Sequence, residues 1–201
     1  MTSWMHAERL EAVQAQLHEM GARSVLDLGC GDGDLFLRLA GDANIARLVG
    51  LDIDAASIAR LRASLERRTL HADVELRMAS MTRGDPALAG FDCAVLVETI
   101  EHIAPSDLGS LERAVFDVFR PRAVIVTTPN AEFNALLGVP AHRFRHPDHR
   151  FEWTRARFQR WGQRVARTWG QRVTFHDIAG AHPDLGGASQ MAVFRREGAG
   201  T

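Results

Sequence analysis

The alternation of predicted strands and helices constrains the fold of this chain more than any other feature. The strands are short segments that are apolar or that alternate apolar with polar residues, and the helices have apolar residues at helical spacing. The predicted strands are 24–28, 48–53, 73–78, 91–97 and 122–128, and the helices between and before them are 8–20, 34–40, 55–68 and 107–119. Strands that alternate with helices form a parallel sheet covered on both faces. After a helix at 154–169, strands at 171–178 and 189–195 follow without a helix between them, which predicts an antiparallel edge hairpin. The predicted fold class is therefore α/β, a Rossmann-like and mostly parallel seven-stranded sheet with helices on both faces.

Composition narrows the class of protein. The 201 residues fit one domain, and 46% apolar with 24% charged residues excludes a disordered, collagen-like or disulfide-scaffold chain. No apolar run approaches the roughly 18 residues of a membrane span, and the first residues lack the apolar core of a signal peptide. Two cysteines, Cys30 and Cys93, are too few for a disulfide framework. We therefore expect a cytoplasmic protein without a membrane partner.

A glycine-rich turn follows the first predicted strand, in the stretch Asp27-Leu28-Gly29-Cys30-Gly31-Asp32-Gly33. It lacks the Lys-Ser/Thr pair of a phosphate loop, and its carboxylates would repel a pyrophosphate, so they favour a cationic ligand. Asp52 ends the second strand, where its two oxygens can accept both hydroxyls of a ribose. A cofactor with a ribose, an adenine and a positive charge but no phosphate is S-adenosylmethionine.

The same stretch resembles the first motifs of class I S-adenosylmethionine-dependent methyltransferases. Ser80 and Met81 follow the third strand, where that fold holds the adenine. The predicted cofactor contacts are Asp27, Gly29, Gly31, Asp52, Ser80 and Met81.

The fourth strand ends in a group of candidate catalytic residues, Glu98-Thr99-Ile100-Glu101-His102. In a helical turn, positions 98, 101 and 102 share one face. Two carboxylates and an imidazole can bind a divalent cation, with carboxylates favouring Mg or Mn. These five residues alone do not decide between two interpretations. In one they bind a metal ion, and in the other the histidine acts as a base or merely packs.

A second cluster, at 142–155, holds three histidines, four arginines and three aromatic residues. It is either a solvated basic loop with its aromatic side chains in the core or a substrate lid. In the second case one histidine would complete a cage of two glutamates and two histidines, and arginines would contact phosphates. Nine arginines lie between Arg143 and Arg172, a stretch that would hold an RNA backbone. Phe144 and Trp153 are candidates for base stacking, whereas Trp161 and Trp169 are expected to pack.

Three motifs taken together resemble a specific family, and they extend the resemblance over residues 8–195. They are Glu98-x-x-Glu101-His102, Thr128-Pro129-Asn130-x-Glu132-x-Asn134 and Asp148-His149-x-Phe151-Glu152-Trp153-Thr154-Arg155. This pattern is similar to the small-RNA 3′-terminal ribose 2′-O-methyltransferases of the HUA-enhancer type, and we expect the bacterial RNA-repair branch. The resemblance implies metal-dependent methyl transfer from S-adenosylmethionine to the 2′-hydroxyl of the 3′-terminal ribose of RNA.

The resemblance also assigns roles to residues. It implies that one divalent cation, Mg or Mn, is held by catalytic residues Glu98, Glu101, His102 and His149. The residues expected to contact the RNA 3′ end are Asn130, Arg145, His146, Arg150 and Arg155. Because a terminal nucleotide alone has adjacent free 2′ and 3′ hydroxyls, a cation that binds both would select an RNA end, and DNA should fail as a substrate.

The implied organisation is a single methyltransferase domain over 1–201, with an N-terminal helix within 1–22, a substrate and metal loop at 130–155 and a tail at 197–201. Bacterial members commonly carry a further domain ahead of the methyltransferase, which these residues do not include. A free-standing domain and a part of a longer protein both stay open, and so does an RNA-repair kinase or ligase as a partner. The competing functions are a small-molecule O-methyltransferase, such as one acting on a quinone precursor, and a non-catalytic nucleic-acid-binding module.

Overall fold

A seven-stranded sheet with helices on both faces forms the protein in the computed structural model, which describes residues 3–196. The strands are β1 (Ser24–Leu28), β2 (Arg47–Asp52), β3 (Asp73–Met78), β4 (Cys93–Val97), β5 (Ala123–Pro129), β6 (Gln171–Ile178) and β7 (Ser189–Arg196). The helices are α1 (Ser3–Glu19), α2 (Asp34–Ala40), α3 (Ala55–Leu65), α4 (Leu108–Arg113) and α5 (Arg155–Trp169). The predicted tail at 197–201 lies outside the described residues.

The strand order, β3-β2-β1-β4-β5-β7-β6, confirms the predicted fold class. Strands β1 to β5 pair in parallel, and β7 lies between β5 and β6, antiparallel to both. The chain winds outward in one direction through β2 and β3 and in the other through β4 and β5. Between β1 and β4 this reversal opens a crevice at the carboxyl ends of the strands, which is where open α/β sheets bind their ligands.

The central strands are buried on both faces, which explains why they read as unbroken apolar runs. In β4, Cys93 and Val95 face the apolar cluster that contains residues of α1, α2 and α3, whereas Ala94 and Leu96 face the cluster of α4 and α5. Among the helices of residues 3–196, none combines the length and apolarity that crossing a membrane requires.

Apart from the predicted helix 107–119, two helix ends differ from the prediction by more than one residue. Helix α1 begins at Ser3 rather than at residue 8, because its first turn also packs: Met5 is buried in a small cluster with Phe133. Helix α3 ends at Leu65, three residues before the predicted end.

The predicted helix 107–119 is not regular along its length. After α4 it widens into a π-helical turn, Ala114–Phe119, which ends where Arg120 takes a left-handed backbone conformation. Phe116 and Phe119 are both buried in this wider turn.

The segment 130–154 leaves the end of β5 and returns to it. It opens with a 3₁₀ turn, Ala131–Leu137, and closes where Trp153 pairs with Asn130. Trp153 is buried and stacked on Phe151, with ring centroids 4.2 Å apart, so it packs in the core and does not offer a face to a base. Trp161 is buried and Trp169 packs against the same cluster, as predicted.

Candidate active site at the carboxyl edge of the sheet

One cavity of about 1380 Å³ joins the two predicted halves of the site. Its wall includes Gly31 and Asp32 from the glycine-rich turn, Glu98 and Glu101 after β4, and His149 from the segment after β5. The carboxyl ends of the parallel strands therefore bring the cofactor motif and the candidate catalytic residues to one space.

The glycine-rich turn needs glycine for two reasons. Gly29, Gly31 and Gly33 all have positive φ angles, of 85°, 52° and 92°. A side chain at Gly29 would also collide with Thr99, since its Cβ would lie 2.5 Å from the Thr99 Cγ2 atom. At Gly31, by contrast, no heavy atom of residues 3–196 other than its chain neighbours lies within 4 Å of the Cβ position. This open backbone in the cavity wall fits a ligand that approaches the turn closely.

Two carboxylates stand behind this turn. The Asp52 carboxylate accepts hydrogen bonds from the backbone N–H groups of Gly31, at 2.8 Å, and Asp54, at 2.9 Å, which fixes it at the end of β2. Burial, reinforced by the charge of Asp52, raises the pKa of Asp27 to about 7. A cationic ligand would relieve this cost, so the site fits S-adenosylmethionine, which is positively charged.

The turn after β3 meets the glycine-rich turn. The Met81 Cε atom lies 3.2 Å from the Cβ position of Gly29. The Ser80 hydroxyl lies 2.8 Å from that of Thr82. Both predicted adenine contacts are thus placed at the correct edge of the sheet, and their contact with the cofactor stays a prediction.

Glu98 occupies a strained position between α1 and the sheet. Its φ of 50° is left-handed, a conformation that costs a residue other than glycine on the order of 1–2 kcal/mol. The side chain is held on both sides: Thr127 donates to its Oε1 at 3.1 Å, and the buried guanidinium of Arg9 lies 3.2 Å from its Oε2. Arg9 also donates to the Ser189 hydroxyl at 3.0 Å. These contacts fix the Glu98 carboxylate in the cavity wall.

Glu101 is fully buried and only half satisfied. Thr128 donates to its Oε2 at 2.9 Å, whereas its Oε1 has no hydrogen-bond partner among the described residues. Burial, and next the charge of Glu98, raises the pKa of Glu101 well above its usual range. An unpartnered carboxylate oxygen of this kind fits a cation ligand, because a cation would supply the missing partner and offset the repulsion.

Three imidazoles lie together beside these glutamates. The ring centroid of His102 is 4.8 Å from that of His149 and 5.9 Å from that of His146, and the three residues offer nitrogen atoms within 4.8 Å of one another. His149 is oriented by Glu152, whose Oε1 is 2.6 Å from its Nδ1 atom. Burial lowers the pKa of His102, and the neighbouring His149 and His146 lower it further. Imidazoles with nearby carboxylates suit Mn, Co or Zn better than Mg.

The structure thus assembles the predicted ligand set in part. In the part of the chain from 3 to 196, the one group of three donors within 4.8 Å consists of the three histidines, without Glu98 or Glu101. Both glutamates line the same cavity. The four-residue cage therefore stays a prediction.

The predicted RNA contacts divide into inward and outward side chains. Asn130 faces inward: it is fully buried, and its amide donates to the carbonyls of Leu185, at 2.7 Å, and Gly187, at 2.9 Å, so its contact with RNA stays a prediction. Its role is to hold the 185–187 turn against the end of β5. Arg150 is exposed, and its backbone N–H donates to the Glu101 carbonyl at 2.7 Å, which places it at the edge of the site.

Two predicted arginines bond to the protein itself. The Arg145 guanidinium donates to Asn134 Oδ1 at 2.6 Å and to the carbonyls of Ala188 and Asn130. Arg155 is paired with Glu132 at 2.9 Å. Both brace the segment 130–154, so a contact with RNA would have to be additional to these bonds.

Sequence reasoning missed other features of the site. His146 was predicted as an RNA contact and not as a member of the imidazole cluster. Residues that a loop brings together leave no periodic signal in the sequence. Sequence reasoning also passed over Ile53 and Met78, exposed by 72% and 65% beside Asp52. An apolar residue between Asp52 and Asp54 was the available signal, and both side chains are candidates to pack on the adenine.

Known methyltransferases are similar to this chain in sequence and in fold. A family model described as a methyltransferase domain matches residues 25–122. A small RNA 2′-O-methyltransferase of Xenopus tropicalis is 36% identical over 203 residues, which cover 96% of this chain and 55% of that protein. The crystal structure of the methyltransferase domain of bacterial CtHen1-C is 35% identical, with a TM-score of 0.85, and the match covers 96% of this chain and 98% of that one. The chain belongs to the Hen1 methyltransferase family.

Membership in the Hen1 family confirms the resemblance inferred from the three motifs. The chain spans about half the length of the curated Hen1 relatives it matches, 55% for the protein of Xenopus tropicalis. A chain of the solved Pnkp1/Rnl/Hen1 RNA repair complex has a TM-score of 0.71 at 22% identity, over 98% of this chain and 42% of that one, and so shares the fold.

Proposed function

We propose that this protein transfers a methyl group from S-adenosylmethionine to the 2′-hydroxyl of the 3′-terminal ribose of RNA. The observation that carries the proposal is the single cavity that runs from Gly31 to the cluster of His102, His146 and His149. The cavity gives a cationic methyl donor and an ordered set of imidazoles and carboxylates access to the same space. A relative named as a small RNA 2′-O-methyltransferase supports the 2′-O chemistry and the RNA substrate.

On the cofactor side, the chain's residues bind and orient. The open backbone at Gly31 lets the donor approach the turn, and Asp52, held by two backbone N–H groups, is set to accept the ribose hydroxyls. Asp27 offers negative charge behind the turn. We assign Met81, which approaches Gly29, and its neighbour Ser80 to the adenine.

On the acceptor side, we assign Glu98, Glu101, His102 and His149 to one divalent cation, with Mn favoured over Mg by the imidazoles. When bound there, a cation would lower the pKa of a ribose hydroxyl and fix its position. The unpartnered Glu101 Oε1 supports the fit. His146, the imidazole of the cluster that is not assigned to the cation, is our candidate to accept the proton that leaves the 2′-hydroxyl.

The terminal position follows from the same arrangement. Only the last ribose of a strand has 2′ and 3′ hydroxyls that are both free, and several donor groups of the chain converge on one side of the cavity. Arg150, exposed at the edge of the site, is the predicted contact that remains available for the terminal phosphate.

The proposal also includes a partner protein and a cellular compartment. The fold shared with a chain of an RNA repair complex supports a repair kinase or ligase as a partner. Cys30 and Cys93 are both free and buried, in keeping with a reducing compartment such as the cytoplasm.

The test is methyl transfer from labelled S-adenosylmethionine to a short RNA in the presence of Mn. We expect labelling of an RNA with a 3′-terminal ribose, none of the same RNA with a 2′-deoxy 3′ end, and loss of labelling with a chelator. Equal labelling of both RNAs would refute terminal 2′-O-methylation. Labelling of low-mass cell extracts without RNA would favour a small-molecule methyltransferase instead.

Variants separate the two sides of the site. His149→Ala and Glu101→Ala should each abolish transfer while S-adenosylmethionine binding, measured by calorimetry, is kept. The control is His71→Ala, at an exposed histidine after α3, which should behave as the unchanged protein. If cofactor binding is lost together with transfer, the assignment of His149 and Glu101 to the acceptor side is wrong.

A further inference from the structure

Helix α5 exposes a row of four arginines. Arg157, Arg160, Arg164 and Arg167 recur at intervals of three and four residues, and all four are exposed. The opposite side of the helix is buried in the core through Phe158, Trp161 and Val165. At 1.5 Å of rise per residue, this arginine row is about 15 Å long.

The arginine row is poorly compensated within the protein. Helix α5 contains no acidic residue, and its first turn, where positive charge is disfavoured, carries Arg155 and Arg157. Arg164 is paired with Glu112 at 2.6 Å, and Arg157 lies over the ring of Trp153. The side chains of Arg160 and Arg167 make no ion pair or hydrogen bond with any residue of the described part of the chain. Positive charges that lack acidic neighbours do not stabilise the helix, but they can bind an anionic partner.

The row begins beside the candidate active site. Arg157 packs on Trp153, four residues after His149, and the N–H of Arg150 between them is bonded to the Glu101 carbonyl. From there, α5 carries the arginines away from the site in steps of about 4.5 to 6 Å along the helix axis. A strand whose 3′ end lies in the cavity must leave it along the surface, and this row offers one positive charge after another.

We propose that the arginine row binds the phosphodiester backbone of RNA on the 5′ side of the nucleotide in the active site. This inference rests on the proposed function, since it takes the RNA 3′ end as the occupant of the cavity. It also sorts the arginine-rich stretch 143–172: Arg145 and Arg155 brace the loop, and the members of the row reach the RNA. Because the contacts are to phosphates, they should carry little sequence preference and weaken with salt.

The test is the double variant Arg160→Gln, Arg167→Gln, chosen because these two side chains make no ion pair or hydrogen bond with the described residues 3–196. Its matched control is Arg62→Gln, Arg68→Gln, which removes the same charge at exposed positions on and after α3, on the other face of the sheet. Binding of a fluorescent 12-nucleotide RNA is measured by polarisation over a range of salt concentrations, so the readout does not depend on catalysis.

We expect the row variant to bind several-fold more weakly than the control. The slope of log affinity against log salt should fall by about 1.4, or about 0.7 for each phosphate of a single strand that the variant no longer neutralises. A dinucleotide, too short to reach Arg160, should bind equally to both proteins.

The outcomes distinguish this inference from the proposed function. If the unchanged protein methylates RNA but the row variant and the control bind the 12-mer alike, the row does not bind RNA and the proposed function stands. If the row variant loses RNA affinity while the unchanged protein transfers no methyl group, the row is supported and the proposed reaction fails. Competition by poly-glutamate that equals competition by unlabelled RNA would overturn the inference in favour of an acidic protein partner.

Discussion

Two buried carboxyl groups, those of Asp27 and Glu101, have pKa values raised by burial and by a second carboxylate nearby. Each ionised carboxylate is destabilised in the protein alone, and a positively charged ligand would stabilise it. Asp27 lies behind the turn assigned to the cationic methyl donor, and Glu101 lies beside the three imidazoles. At the scale of single residues, the site is therefore arranged for charges that arrive with its ligands.

The pH dependence of stability should report on Asp27. Its pKa is about 7 in the folded protein against an ordinary 3.8, so the folded state binds this proton more tightly than the unfolded state does. Stability contributed by Asp27 is thus present below about pH 4 and lost as the pH rises to 7. Asp27→Asn should be more stable than the unchanged protein at pH 8 in urea unfolding, yet bind S-adenosylmethionine more weakly in calorimetry. A variant with unchanged stability at pH 8 would contradict the raised pKa.

Two of the three glycines of the turn, Gly29 and Gly31, should respond differently to a methyl group. Gly29→Ala adds a collision with Thr99 to its positive φ, and overpacking of this kind costs about 1–3 kcal/mol beyond the strain. Gly31→Ala has only the backbone strain, about 1–2 kcal/mol, but places its methyl group in the cavity. Thermal unfolding should show the larger loss for Gly29→Ala. Calorimetry should show weakened S-adenosylmethionine binding for Gly31→Ala, and full affinity there would place the cofactor elsewhere.

The segment 130–154 is the element that completes the site, and charged side chains hold it in place. Glu152 accepts hydrogen bonds from the Arg145 backbone at 2.7 Å and from Asn134 at 2.6 Å, and it also orients His149. The Arg145 guanidinium returns to Asn134 and to the Ala188 carbonyl. Polar bonds thus position the middle of the loop, residues 138–150, whereas Phe151 and Trp153 near its end pack in the core. The order of the middle part can therefore be changed with little effect on the core.

Arg145→Lys tests this bracing. Lysine keeps the charge but cannot donate to three separated acceptors as a guanidinium does. We expect the free energy of local opening to fall by about 2 kcal/mol in hydrogen exchange over residues 138–153, because charge-assisted bonds are removed. Global unfolding should change much less, since, within the described chain, residues 138–150 contribute no side chain to the apolar clusters. Unchanged exchange in this segment would show that Arg145 does not hold it.

The strands were predictable to within two residues. In the central strands burial on both faces leaves an apolar run, and the half-exposed β3 shows alternating residues, so neither pattern needs knowledge of the rest of the chain. The path of the loop after β5 could not be predicted from the sequence. It depends on a bond between Arg145 and Ala188, which are far apart in the sequence. The widening of α4 into a π-helical turn also escaped prediction, because the same apolar spacing suits a regular helix. For the site, the motifs located both halves, whereas the inward role of Asn130 and the grouping of His146 depended on tertiary contacts.

At the scale of the whole molecule, the first helix and the last described strand meet at the candidate active site. Arg9 of α1 donates to Ser189 at the start of β7 and is paired with Glu98 after β4. With 2% of its surface exposed, Arg9 is among the most buried charged groups of the described chain. The contact ties three distant parts of the sequence together at one point.

Removal of this ion pair should weaken the whole fold. Arg9→Met removes a buried guanidinium and leaves Glu98 without its charge partner, and breaking a buried pair costs about 3 kcal/mol. Urea unfolding should show this decrease, whereas Arg23→Met, at an exposed arginine before β1, should change the free energy of unfolding by less than about 0.5 kcal/mol. Equal stability of the two variants would mean that the Arg9 pair contributes nothing net.

The place of β7 in the sheet has a consequence for how the enzyme is made. β7 lies between β5 and β6, although the ribosome synthesises it after both. Until Ser189–Arg196 has emerged, β6 has no inner neighbour, and Arg9 and Glu98 lack the Ser189 hydroxyl. A nascent chain can therefore form its donor-binding half early, but it becomes competent for chemistry only when translation has delivered this late strand.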